Sequence, residues 1–144
     1  MLISKINISS NNVHRIKTEL PIEKATQEYV KKIINFFGQQ NPIFDLILLG
    51  IGEDGHTASL FPSSDTLKES KKLFTVTPPS GTPKLPRITA TYKLLNKARN
   101  ILFLSSYKGK EKVIDEILNH PKIAEEKFPA AKVKVKNTYF FIKI

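Results

Sequence analysis

FDLILLGIGEDGHTASLFP (Phe44–Pro62) sets a short apolar run, interrupted by Asp45, against three glycines, two further acids and one histidine. The run Phe44–Gly50 is too apolar for a half-exposed strand and too short for an ordinary helix. It predicts a strand buried on both faces, as in a parallel sheet with helices above and below. In open sheets of that kind, ligands collect beyond the carboxyl ends of the strands, where loops face a crevice. The segment GIGEDGH begins where this strand ends.

Working outward, NILFLSS (Asn100–Ser106) repeats the apolar pattern and predicts a second buried strand. KGKEKVIDEILNH (Lys108–His120) follows as a helix with Val113, Ile117 and Leu118 on one face. Upstream, Pro21–Phe37 predicts a helix, because Ile22, Ala25, Tyr29, Ile33 and Phe37 recur at three- and four-residue spacing. Proline sits near its first turn, and Gly38 provides a stop. LFTVT (Leu73–Thr77) predicts another strand, separated from RITATY by the proline-rich loop PPSGTPKLP, and TYFFIKI reads as the last strand. Strand–loop–helix alternation implies an α/β fold with a mainly parallel, Rossmann-like sheet flanked by helices. No internal repeat or composition break divides the chain, so residues 1–144 are expected to form a single domain.

Bulk properties bound the function. A chain of 144 residues with 40% apolar and 25% charged residues suits one soluble globular domain. No run of eighteen apolar residues suggests a membrane span, and the first residues lack a secretory signal pattern. The chain has no cysteine, which excludes thiolate chemistry and fits a reducing, cytoplasmic setting. The net charge of +10 is uneven: residues 1–83 carry nine basic and eight acidic side chains, residues 84–144 fourteen and five. A basic surface of this kind suits phosphorylated ligands. The lysines are dispersed among apolar residues without a nucleic-acid-binding motif, so no nucleic acid or membrane partner is expected.

In the loop, Gly50, Gly52 and Gly55 permit backbone conformations and close approaches denied to other residues. The nucleotide-binding patterns fail: G-x-x-x-x-G-K-[ST] is absent, and His56 stands where G-x-G-x-x-G needs its last glycine. Histidine titrates near neutrality, which makes His56 the candidate general base. Asp54, two residues away, suits the role of fixing its tautomer better than the longer Glu53. The alternative is a turn-forming Asp54 beside a hydrogen-bonded loop histidine, and the residues alone leave both open. One histidine and its neighbouring acids make a poor zinc set, so no metal is expected. His14 suits a structural role before the first helix, and His120 a place at a helix end. Thr57 and Ser59 are candidates for hydrogen bonds near the loop, although the serine-nucleophile pattern G-x-S-x-G is absent.

The stretch LILLGIGEDGHTASLFP resembles the signature of 6-phosphogluconolactonases, enzymes that hydrolyse 6-phosphogluconolactone in the pentose phosphate pathway. The likeness continues through NVHRI (Asn12–Ile16), PRITATYKLLNKARNILFLSSYKGKEKV and FPAAKV in family order. Relatives that deaminate or isomerise amino-sugar phosphates share G-x-x-x-D-G-H, but TASLFP sides with the lactonases. The resemblance implies the shared α/β fold and a small phosphorylated sugar lactone as substrate, with no metal or organic cofactor. It makes His56 the base that activates water, Asp54 the acid beside it, and Gly52, Gly55, Arg87 and Lys110 substrate-binding positions. Tyr107 departs from the family's usual glycine. The family's upstream G-G-S-T-P and D-E-R segments, with its first strands, are not found in this sequence. Three outcomes are therefore expected to compete: a lactonase, a weakly active or inactive form that binds sugar phosphate, or a half that associates with itself or with a complementing N-terminal fragment.

Overall fold

The computed structural model describes residues 3–38 and 41–144. In chain order, helix α1 (Ile22–Phe37) precedes strand β1 (Ile47–Leu49). Strands β2 (Phe74–Ser80) and β3 (Leu85–Ala90) follow, then the one-turn helix α2 (Tyr92–Leu95). Strand β4 (Asn100–Ser106), helices α3 (Glu111–Asn119) and α4 (Pro121–Lys127), and strand β5 (Asn137–Lys143) complete the order. No helix among the described residues is long and apolar enough to cross a membrane.

The main sheet is parallel throughout, in the order β1-β4-β5. Register aligns Leu48, Leu102 and Tyr139 in one row, and Leu49, Phe103 and Phe140 in the next. Side chains alternate between faces along a strand, so these rows face opposite sides. On one side, Leu49, Ile101 and Phe103 join Val113 and Ile117 of α3, Ala124 of α4, and Ala130 and Val133 in a single core. Phe140 stacks on Phe103 there, with ring centroids 5.0 Å apart.

Burial on both faces, expected for the first strand, is corrected by this geometry. Leu49 is buried, but Leu48 between its neighbours is 53% exposed. The strand is also shorter than Phe44–Gly50. Arg99 N–H donates to the Phe44 carbonyl, and Asn100 Nδ2 donates to the Asp45 carbonyl, so a side chain replaces the ladder at this end.

The proline-rich segment is corrected as well, from a loop to most of a hairpin. β2 and β3 pair antiparallel, leaving Gly81–Lys84 as the turn, which includes a cis Thr82–Pro83 peptide. Pro78 and Pro79 carry no N–H, and the pairing register shifts between Thr77 and Ser80 where they lie. Helix α1 packs beside this hairpin, with Tyr29 edge-on to Phe74 at 5.1 Å. It ends as expected at Gly38, whose φ of +63° lies in the left-handed region. In α3 the buried stripe is Val113, Ile114 and Ile117, whereas Leu118, one residue round the helix, is exposed. His120 joins α3 to α4: its N–H donates to the Glu116 carbonyl, and its own carbonyl accepts from Ala124.

Candidate active site

Adjacent parallel strands deliver two loops to the same end of the sheet. β1 ends at Leu49 and runs into Gly50–His56, while β4 ends at Ser106 and runs into Tyr107–Lys110. The first loop is closed by its own backbone, with Gly52 N–H on the His56 carbonyl at 2.9 Å and Gly55 N–H on the Gly52 carbonyl at 3.0 Å.

Asp54 Oδ1 accepts twice from His56, from the backbone N–H at 3.0 Å and from ring Nδ1 at 2.6 Å. A carboxylate only accepts, so this contact places the imidazole proton on Nδ1 and leaves the Nε2 lone pair free. Nε2 makes no hydrogen bond among the described residues, and the side chain is about one-third exposed. The pair is thus arranged to take a proton from a small molecule that reaches Nε2.

Gly52 and Gly55 build this arrangement. A Cβ on Gly52 would lie 2.1 Å from His56 Nδ1 and 2.8 Å from Asp54 Oδ1, so the imidazole rests directly on the glycine. Gly55 has a φ of +78°, and its absent Cβ makes room for the Phe128 ring, which would be 2.4 Å away. The Gly55 carbonyl also accepts from Ala130, mooring the loop to the segment after α4. Thr57, fully buried, donates its hydroxyl to the Gly50 carbonyl at 2.8 Å. Ser59 N–H donates to Thr89 Oγ1 at 3.0 Å, tying the loop to β3.

The two expected cations occupy different settings. Lys110 caps α3, and its Nζ reaches back to Ser105 Oγ at 3.3 Å, over the tip of β4. Beside it, Gly109 N–H is taken by the Glu111 carboxylate, while Glu53 extends towards Gly109. Arg87 lies on β3 and donates to carbonyls of the hairpin turn, those of Ser80, Pro83 and Leu85. Two of its five N–H groups are not used by those bonds. Its connection to His56 runs through Phe61: the imidazole lies 4.6 Å from the Phe61 ring, and the guanidinium carbon 5.8 Å from the same centroid.

Tyr107 does not obstruct the second loop. Its hydroxyl donates to both Asp115 carboxylate oxygens, at 3.0 and 2.9 Å, and that bond holds the phenol above its ordinary pKa. His14 packs on Phe36 of α1 at 4.8 Å, away from the loop, with both ring nitrogens buried and unpartnered among the described residues. Phe61 and Phe128 are the contributors that sequence reading does not single out. Their only signal is an aromatic residue beside a proline, in LFP and in FPAAKV.

The chain matches the family model for glucosamine-6-phosphate isomerases/6-phosphogluconolactonase over residues 1–141. It is 42% identical to a human 6-phosphogluconolactonase over 136 residues, covering 92% of this chain and 51% of that protein. It is 45% identical to the Thermotoga maritima 6-phosphogluconolactonase over 120 residues, covering 82% and 51%. The crystal structure of the Thermotoga enzyme superposes with a TM-score of 0.80 over 99% of this chain and 61% of its own. That of the devB protein gives 0.84, at 32% identity, over 98% and 60%. The chain therefore spans about half the length of the curated relatives it matches.

Proposed function

This chain belongs to the glucosamine-6-phosphate isomerase/6-phosphogluconolactonase family, and from that premise we propose that it hydrolyses 6-phosphogluconolactone to 6-phosphogluconate. The observation that carries this reading is the 2.6 Å contact of His56 Nδ1 with Asp54, which leaves Nε2 as a free base at the strand tip. Nε2 takes a proton from water as the water oxygen attacks the lactone carbonyl carbon. The carbonyl electron pair moves onto oxygen, and the resulting oxyanion then collapses with cleavage of the ring C–O bond. The imidazolium returns its proton to the departing ring oxygen, which becomes a hydroxyl of the product. Asp54 keeps the imidazole in the required tautomer and stabilises the imidazolium.

Lys110 and Arg87 supply positive charge for the phosphate and for the developing oxyanion. Arg87 does so with the two N–H groups left over from its hairpin bonds, so its position is fixed before substrate arrives. Gly52 and Gly55 serve the substrate indirectly, by holding the imidazole and the loop in place.

That the chain spans about half the length of the curated relatives it matches favours one second reading, binding of the sugar phosphate without turnover. An assay that follows proton release from 6-phosphogluconolactone at neutral pH separates the two. The lactonase reading predicts a rate above the spontaneous one that rises in proportion to protein concentration. A rate equal to the spontaneous one, with 6-phosphogluconate still bound, selects the second reading. No excess rate and no binding sinks both.

A further inference from the structure

Phe61 takes no part in the chemical steps proposed above, yet two of the groups that carry them touch its ring. The His56 imidazole lies 4.6 Å from the ring centroid, and the Arg87 guanidinium carbon 5.8 Å from the same point, within reach of a cation–π contact. A third contact comes from the hairpin. A Cβ on Gly81 would stand 3.0 Å from an Arg87 guanidinium nitrogen and 3.1 Å from Phe61 Cζ, so the turn backbone bears on both side chains. The carbonyls of Ser80 and Pro83 hold the same guanidinium by hydrogen bonds.

The ring is buried without belonging to the main core. Leu60, its neighbour, packs in the cluster under the sheet, whereas Phe61 is not among the residues of that cluster. The backbone on either side is unusual. Ala58 and Ser63, neither of them glycine, take φ of +50° and +60°. Residues of that kind enter the left-handed region at a cost, which the surrounding structure must offset. Between and beside them, Leu60 N–H donates to the Thr57 carbonyl at 2.8 Å, and Ser64 N–H to the Phe61 carbonyl at 3.3 Å. Two tight turns therefore bracket Phe61 and set the direction of its side chain.

We infer that Phe61 is a positioning residue that fixes the separation between the base at His56 and the cation at Arg87. His56 is anchored on the loop after β1, Arg87 on β3 and the hairpin turn, and the ring is the rigid body between them. The use of that separation rests on the lactonase reading: one substrate must present its carbonyl to the base and its phosphate to the cation together. Leucine at this position keeps an apolar side chain but offers no flat face, so both groups gain freedom. A base that wanders loses kcat, and a cation that wanders loses its hold on the phosphate.

The test compares wild type with Phe61→Leu on 6-phosphogluconolactone and on gluconolactone, which has the same ring without the phosphate. Nitrogen-15 NMR of the His56 and Arg87 side chains, recorded without ligand, accompanies the kinetics. The expected result is a kcat about tenfold lower on both lactones and a KM about tenfold higher on the phosphorylated one alone, as misplaced groups produce. The preference for the phosphorylated lactone then falls about tenfold, and the His56 Nδ1–H and Arg87 Nε–H signals shift or broaden. Gly81→Ala presses on the same ring and guanidinium from an exposed turn, and should give the same changes. Gly38→Ala controls for backbone strain: its φ is +63°, its Cβ meets nothing within 4 Å, and its rate should stay at the wild-type level. An unchanged preference, or an unchanged spectrum at either side chain, overturns the inference. Should Phe61→Leu unfold, Gly81→Ala decides by the same readings. If wild type hydrolyses neither lactone above the spontaneous rate, the lactonase reading fails by itself. The spectra then decide alone: shifts at both side chains support the positioning, and their absence overturns it.

Discussion

Exchanging His56 for alanine is expected to lower kcat for lactone hydrolysis by about 10²- to 10⁴-fold, the contribution of a positioned general base. KM should change little, because the proposed reaction has the imidazole act on water and leaves the phosphate to Lys110 and Arg87. The fold should survive. The loop is closed by backbone bonds from Gly52 to His56 and from Gly55 to Gly52, and neither uses the ring. What is lost besides catalysis is the Nδ1 hydrogen bond to Asp54 and the aromatic contact with Phe61, about 1 kcal/mol each. Steady-state kinetics beside a thermal melt checks both halves. A fall in kcat without a large loss of stability is the signature of a base; equal rates in wild type and variant remove His56 from the mechanism.

A single methyl group on Gly52 should be nearly as damaging. Its Cβ would stand 2.1 Å from His56 Nδ1 and 2.8 Å from Asp54 Oδ1, distances that no packed atoms tolerate. The imidazole is the group free to yield, and when it swings away the contact with Asp54 breaks. Gly52→Ala should therefore come within about tenfold of the His56→Ala rate, while overpacking costs about 1–3 kcal/mol of stability. Gly50→Ala is the matched control. Its Cβ meets nothing closer than the Leu104 carbonyl, 4.0 Å away, so the hydrolysis rate should stay at the wild-type level. If Gly52→Ala retains full activity, the imidazole does not need the position seen here.

Much of this arrangement was legible in the sequence, and the reasons are local. The apolar run ending at Gly50, the similar run at Asn100–Ser106 and the helical spacing of α1 each encode one element through a pattern of a few residues. The Asp54–His56 pairing was legible for the same reason, since a two-residue separation within a tight loop brings carboxylate and imidazole into reach. The hairpin formed by β2 and β3 was hidden because Pro78, Pro79, Pro83 and Pro86 announce a loop, whereas a two-stranded ribbon with a register shift accommodates them. Phe61 and Phe128 were not legible, since their roles depend on chain segments that meet only in three dimensions. The bare sheet face was misread for a related reason. An apolar run shows that a strand wants cover on both sides, not what provides it, and the described residues cover one.

The central claim is that Asp54 holds His56 in the tautomer that leaves Nε2 free to act on water. Nitrogen-15 NMR of the His56 ring, recorded while 6-phosphogluconate is titrated in, tests that most directly. The account predicts a proton on Nδ1, an unprotonated Nε2 in the neutral ring, and an Nε2 resonance that moves as the product binds. A neutral ring protonated on Nε2, with no response to the product, would contradict it.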